Sequence, residues 1–81
     1  MKRSYSKNFD KKFEKYDRKT QERIKKAILA IPDGDIEKIK GKKTPQLYRL
    51  RVGNYRIIFR LNEEEIFVDK IDKRGDIYKK L

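Results

Sequence analysis

The 81-residue chain has no cysteine, no histidine and no tryptophan, and only four glycines and two prolines. Without cysteine there is no disulfide framework, no thiolate nucleophile and no sulfur-ligated zinc site. The missing histidine removes the commonest metal ligand and the usual general base near neutral pH, so any acid–base chemistry must use other groups. No cofactor is expected. No apolar run approaches the roughly 20 residues of a membrane span, and the opening Met1-Lys-Arg-Ser-Tyr5 lacks the apolar stretch of a signal peptide. The expectation is a cytoplasmic protein with no membrane association.

What the chain has in excess is positive charge: 24 Lys and Arg against 13 Asp and Glu, a formal +11. Self-repulsion of this size opposes compaction, which points to polyanionic partners. The surplus is not a basic tail. Residues 1–46 carry 15 basic and 7 acidic side chains, residues 47–81 carry 9 and 6, and hydrophobic periodicity runs through nearly the whole chain. With 36% hydrophobic residues, residues 1–81 form one small domain, of a size that buries only about 60% of its unfolded surface.

Lys2 to Ser6 fits a short edge strand with Tyr5 facing inward. From Asn8, a candidate cap, Phe9, Phe13 and Tyr16 recur at i, i+4, i+7, which predicts a two-turn amphipathic helix. Asp17 is a second cap, followed by Ile24, Ala27, Ile28 and Ile31 at the same spacing, until Pro32-Asp33-Gly34 stops the helix. Asp35 to Lys43 reads as a polar connector in which Ile36 and Ile39 pack as one further turn. The period then changes from 3.6 to 2. Leu47–Val52, Gly53-Asn54 and Tyr55–Leu61 are the pattern of a β-hairpin with a two-residue type II′ turn. An acidic loop, Asn62 to Glu65, reads as a solvated turn, and a third strand follows over Ile66–Ile71. Helices first and a strand meander second predict an α+β domain, with two N-terminal helices packed on one face of a small, mainly antiparallel sheet.

The two-residue turn fixes the register: Val52 opposes Tyr55, Arg51 opposes Arg56, Leu50 opposes Ile57, Arg49 opposes Ile58 and Tyr48 opposes Phe59. Opposed residues share a face. One face collects Tyr48, Leu50, Val52, Tyr55, Ile57, Phe59 and Leu61 and is the core. The other collects Arg49, Arg51, Arg56, Ile58 and Arg60. Such a face is either a solvated sheet surface or an anion site, and like charges directly opposed, as at Arg51 and Arg56, destabilise a hairpin unless an anion lies in front of them. Arginine binds phosphate bidentately and stacks on bases, whereas the helices use mostly lysine. Lys70 and Lys73 on or after the third strand, with Arg60, are candidate RNA contacts. Arg74 adds a cation, and Tyr78 a phenol able to stack on a base or position a proton.

The segment Leu47-Tyr-Arg-Leu-Arg-Val-Gly-Asn-Tyr-Arg-Ile-Ile-Phe-Arg60, with Asp72-Lys-Arg-Gly-Asp-Ile-Tyr78 and the helix start Phe9-Asp-Lys11, resembles the RelE/ParE superfamily of toxins from type II toxin–antitoxin systems. The resemblance covers essentially the whole chain and implies the RelE fold, a small sheet packed against two N-terminal helices. For RelE-like members it implies growth inhibition by a ribosome-dependent endoribonuclease that cleaves mRNA in the 30S A site. There the 2′-hydroxyl attacks the adjacent phosphate and leaves a 2′,3′-cyclic phosphate. It further implies a RelB-like antitoxin as partner. By position, Arg49, Arg51, Arg56, Arg74 and Tyr78 match the family's catalytic residues. Lys73 stands where histidine is frequent, so a histidine mechanism is excluded and no general base is assigned, since no Glu falls among Arg49, Arg51, Arg56 and Arg60. ParE-like members share the fold and inhibit DNA gyrase. That activity and noncatalytic RNA or ribosome binding are the alternative readings.

Overall fold

The computed structural model describes residues 2–40 and 46–73. The elements run β1 (Lys2–Tyr5), α1 (Lys7–Phe13), α2 (Arg18–Leu29), β2 (Asp35–Lys38), β3 (Leu47–Val52), β4 (Tyr55–Leu61) and β5 (Glu65–Lys73). The strands form one sheet in the order β1-β5-β4-β3-β2, antiparallel throughout except for the parallel β1–β5 pair. Both helices pack on one face, closing a core of Phe9, Ile24, Ile28, Leu50, Ile57, Phe59, Ile66, Val68 and Ile71. The α+β architecture is the expected one.

Beginning two residues earlier than its sequence pattern suggests, α1 is capped by Ser6 in place of Asn8. The Ser6 hydroxyl accepts from the Phe9 amide at 3.0 Å and donates to the Asp69 carbonyl. One side chain thereby ends β1, starts α1 and ties both to β5. Tyr5 turns to the helix side, where its ring stacks on Phe9 at 5.3 Å, as Phe9 does on Phe13, yet it stays 36% exposed. Asp17 caps α2 as expected, accepting from the Thr20 amide at 3.2 Å. At the other end of α2 the Arg3 guanidinium donates to the carbonyls of Ile28, Leu29 and Ile31 at 3.2, 3.0 and 3.4 Å. A cation at a helix C-terminus satisfies carbonyls that have no intrahelical partner and complements the helix dipole.

The connector after the helices differs from expectation. Asp35–Lys38 is a strand, not a helical turn, and pairs antiparallel with β3. Spacing alone does not separate the two over four residues. The outcome is set by the edge of β3, whose backbone groups need partners. Ile36 then faces the core while Asp35 and Glu37 face the other way. The β3–β4 hairpin has the predicted register at every pair. Gly53 sits at φ +57° and no described non-glycine residue has positive φ, so Asn54 does not, which is the type II′ pattern. The strand β5 begins at Glu65, one residue inside the expected acidic turn; Asn62 Oδ1 accepts from the Glu64 and Glu65 amides and closes that turn. Its pairing with β4 shifts between Ile58 and Phe59, leaving Asp69 as the extra residue of a bulge.

Hydrogen bonds from Thr20 hold the Asp17 carboxyl below the usual carboxylate range. A depressed folded-state pKa contributes stability that is present above the unfolded value and lost as pH falls through the folded one. Asp17→Ala therefore lowers the melting temperature at pH 7, and its deficit relative to the parent narrows as pH is taken below about 4. Melting curves across that range check this; a deficit independent of pH would assign the loss to helix propensity alone.

Candidate nucleic-acid interface

Strand alternation decides what stands on the face away from the helices. In β3 these are Leu47, Arg49 and Arg51; in β4, Arg56, Ile58 and Arg60; in β5, Phe67, Lys70 and Asp72; and in β2, Asp35 and Glu37. The structure therefore brings together five of the eight sequence-predicted site residues: Arg49, Arg51, Arg56, Arg60 and Lys70. Lys73 is separated from them, because its register partner is Tyr55 on the helix side. Arg74 and Tyr78 lie outside the described residues.

This face is not the open arginine surface that alternation alone suggests. Arg56 is 5% exposed and Ile58 is fully buried, and the Arg49 side chain retains 13% exposure. The cations are also compensated from within the chain. Asp35 lies 2.5 Å from Arg51 Nε and 3.6 Å from an Arg49 Nη, and Glu37 lies 3.2 Å from the same Arg49 nitrogen. Charges alternate across the two strands as Arg51, Asp35, Arg49, Glu37. Of the opposed pair, Arg51 thus finds its anion in Asp35 of β2, which it shares with Arg49, and among the ion pairs of the described residues the β2 carboxylates do not reach Arg56. Sequence reasoning missed both carboxylates, although the acidic-apolar-acidic run Asp35-Ile36-Glu37 is an edge-strand signal once its strand partner is known.

Three further observations define the electrostatics. Arg60 places its guanidinium carbon 4.3 Å over the Phe67 ring, a cation–π contact. The Nε atoms of Arg49 and Arg60 are buried with no hydrogen-bond partner among the described residues, and a buried unpaired donor costs about 1–3 kcal/mol. At the far end of β5, opposite Arg56, Asp72 accepts from Lys12 of α1 at 2.5 Å. Tyr16 stands near this pair with its ring centroid 5.0 Å from that of Tyr55; burial first, then the Asp72 charge, then Tyr55 push its phenol pKa up. Tyr16 is therefore protonated at neutral pH and no base.

Burial separates the arginines by mechanical role. Truncating Arg56 removes a packed stem as well as a charge, so Arg56→Ala is expected to lose about 2 kcal/mol or more in denaturant unfolding, in the range of large-to-small core changes. Arg51→Ala, at a side chain 51% exposed, is expected to lose less than about 1 kcal/mol. Equal losses would contradict this division.

Against this geometry, comparison with known proteins is specific. Residues 4–78 match the model of the family described as "ParE toxin of type II toxin-antitoxin system, parDE". Among solved structures, the chain is similar to RelE in the RelB–RelE antitoxin–toxin complex from Methanococcus jannaschii. It is 30% identical over 96% of this chain and 98% of that one, with a TM-score of 0.76. The same fold is found in the archaeal RelE–RelB complex from Pyrococcus horikoshii OT3, at 24% identity, covering 93% of this chain and 96% of that one with a TM-score of 0.74. It recurs in the E. coli RelBE toxin–antitoxin complex, at 20% identity, 91% and 96% coverage and a TM-score of 0.61. None of the curated proteins matches the sequence. With the family model spanning nearly the whole chain and two N-terminal helices on a five-stranded sheet, the protein belongs to the RelE/ParE family of type II toxin–antitoxin toxins.

Proposed function

We propose that this toxin is a RelE-like, ribosome-dependent endoribonuclease that cleaves mRNA in the A site, restrained by a RelB-like antitoxin. The observation that carries the reading is the gathering of Arg49, Arg51, Arg56 and Arg60 on one sheet face. It is supported by likeness to toxins solved with RelB partners.

The step is an in-line transesterification. The substrate 2′-hydroxyl loses its proton and forms a bond to the adjacent phosphorus, the bond from phosphorus to the 5′-oxygen breaks, and that oxygen is protonated. The products are a 2′,3′-cyclic phosphate and a 5′-hydroxyl. Charge builds on the nonbridging oxygens in the transition state. Preorganised guanidinium groups aimed at that charge stabilise it, and the bidentate arginine fork suits the oxygens of one phosphorus. Arg49 and Arg51 serve this role from β3, and Arg56 of β4, packed at 5% exposure, adds its charge at longer range. Arg74 and Tyr78 complete the set by family position, Arg60 and Lys70 bind flanking phosphates, and Lys73, from the helix side, binds one further off. A carboxylate now stands among the arginines. Of Asp35, Glu37 and Asp72, Glu37 has the most exposed side chain, 71%, and it is the group assigned to take the 2′-hydroxyl proton.

A base this exposed does not itself hold a flexible RNA in line. Alignment of the reacting groups is worth effective molarities of roughly 10⁵ M or more, and the A site supplies it. The gyrase-directed alternative is favoured by one observation, that the matching family model is the ParE one.

Primer extension after brief induction tests the choice. Cleavage within translated codons is expected, absent for Arg51→Ala and reduced at least about 100-fold for Glu37→Gln, the scale of one general-base contribution. Purified toxin should spare naked mRNA and cut it on programmed ribosomes. Arrest without cleavage, accompanied by gyrase-dependent DNA breaks, would establish the alternative.

A further inference from the structure

A second basic surface lies beside the arginine face. The strand β1 ends opposite Val68, so among the described residues the remainder of β5 has no strand on that side, and α1 runs past it. Between them is a cleft of about 390 Å³ whose lining includes Lys11, Lys12, Lys15, Lys70 and Asp72. Lys12 and Asp72 pair across it at 2.5 Å, and among the described residues its lining holds no second carboxylate beside Lys11 and Lys15. Lys11 and Lys15 are exposed and make no ion pair among the described residues. Lining one cleft, they place two like charges near each other. Lys70 belongs to both surfaces: it lines the cleft, and its register partner Ile58 lies between Arg56 and Arg60.

Among the described residues the remaining lining is Asn8 and Ile71, with no aromatic side chain. Protein partners take their affinity from aromatic and apolar anchors. A polyanionic backbone instead needs cations at intervals and no anchor. The apolar opposite is found on the other side of α1, where Tyr5, Phe9, Phe13 and Ile28 line a smaller groove. We propose that the lysine cleft between α1 and β5 binds backbone phosphates of the RNA strand whose scissile phosphate lies on the arginine face, with Lys70 as the junction. This rests on the RNA-cleaving reading for the class of ligand, and it assigns to the cleft a binding role distinct from catalysis.

The test measures binding of the full chain to a short, fluorescently labelled 2′-O-methyl RNA, which has no attacking hydroxyl, by anisotropy across a salt series. For a single strand, every phosphate left without its protein cation lowers the slope of log K against log salt by about 0.7. Lys11→Gln/Lys15→Gln should reduce the slope by about 1.4 and weaken binding, whereas Lys19→Gln/Lys26→Gln, on exposed positions of α2, should leave the slope within about 0.3 of the parent. Equal reductions in both variants would overturn the proposal in favour of diffuse attraction. It also fails if RNA binding is unchanged while the Lys11/Lys15 variant loses affinity for poly-glutamate, which would make the cleft a seat for an acidic protein segment. No binding of RNA by the parent overturns it as well. Because the probe is uncleavable, a cleft-dependent slope in a toxin that never cuts mRNA would reject the nuclease reading and keep the cleft. Cleavage on ribosomes with an unaltered slope would do the reverse.

Discussion

The tightest constraint in this molecule is a turn of two residues. Gly53, held at φ +57°, lets β3 and β4 join with no slack, and a strand pair joined that way has one register. That register commits Leu50, Ile57 and Phe59 to the helices and Arg49, Arg51 and Arg56 to the opposite face, with Arg51 and Arg56 directly opposed. A slip of one residue would exchange the two sets. Everything else on the sheet answers the problem this creates, which is a row of guanidinium groups in a domain too small to dilute them. The strand β2 resolves part of it by placing Asp35 and Glu37 beside Arg51 and Arg49, and Asp72 lies across from Arg56. An edge strand with acidic residues on one face thus serves as a counterion.

The helix side is held by a different economy of contacts, in which polar groups join elements end to end. Ser6 links β1, α1 and β5; Arg3 closes the C-terminus of α2 from within β1; Lys12 reaches Asp72 from α1. Each replaces a loop contact that a larger protein would make through extra apolar burial. Contacts of this kind anchor the four residues of β1 as a parallel edge strand beyond its ladder: Arg3 on the end of α2, Ser4, whose hydroxyl donates to Glu65 at 2.8 Å, and Ser6 at its end.

How far the fold could be read in advance depended on whether the governing contact was local. The hairpin was legible residue by residue, since alternation over two strands and a glycine at the first turn position leave one solution. So were the isoleucine spacing of α2 and its Asp17 cap. The Ser6 cap was obscured by a strand ending where the helix begins. The strand β2 was not legible: four residues carry too little period, and what makes them a strand is the edge of β3 further along the chain. Arg56 was legible in position and misjudged in environment. Alternation says which way a side chain points, while burial depends on what lies over it, and 5% exposure separates a packed cation from a solvated one. Arg74 and Tyr78, by contrast, rest on family position alone.

These compensations relocate the charge surplus. On the arginine face, carboxylates of β2 already engage Arg49 and Arg51, so an incoming phosphate competes with groups of the same sign held in place by the backbone. Residues 7–26, spanning α1 and most of α2, carry nine basic and four acidic side chains, and their lysines have few such competitors. Long-range attraction of a polyanion follows net local charge and falls with salt, whereas discrimination follows from the cost of displacing groups that are already paired. Net charge and paired charge are thus distributed differently over the molecule, with the surplus of lysines on the helices and the ion-paired arginines on the sheet. A surface of four unpaired arginines would have bound any nucleic acid it met. With two of them paired to β2, an anion gains at Arg49 and Arg51 only what exceeds the interaction with the carboxylates it displaces, which makes position count as well as charge.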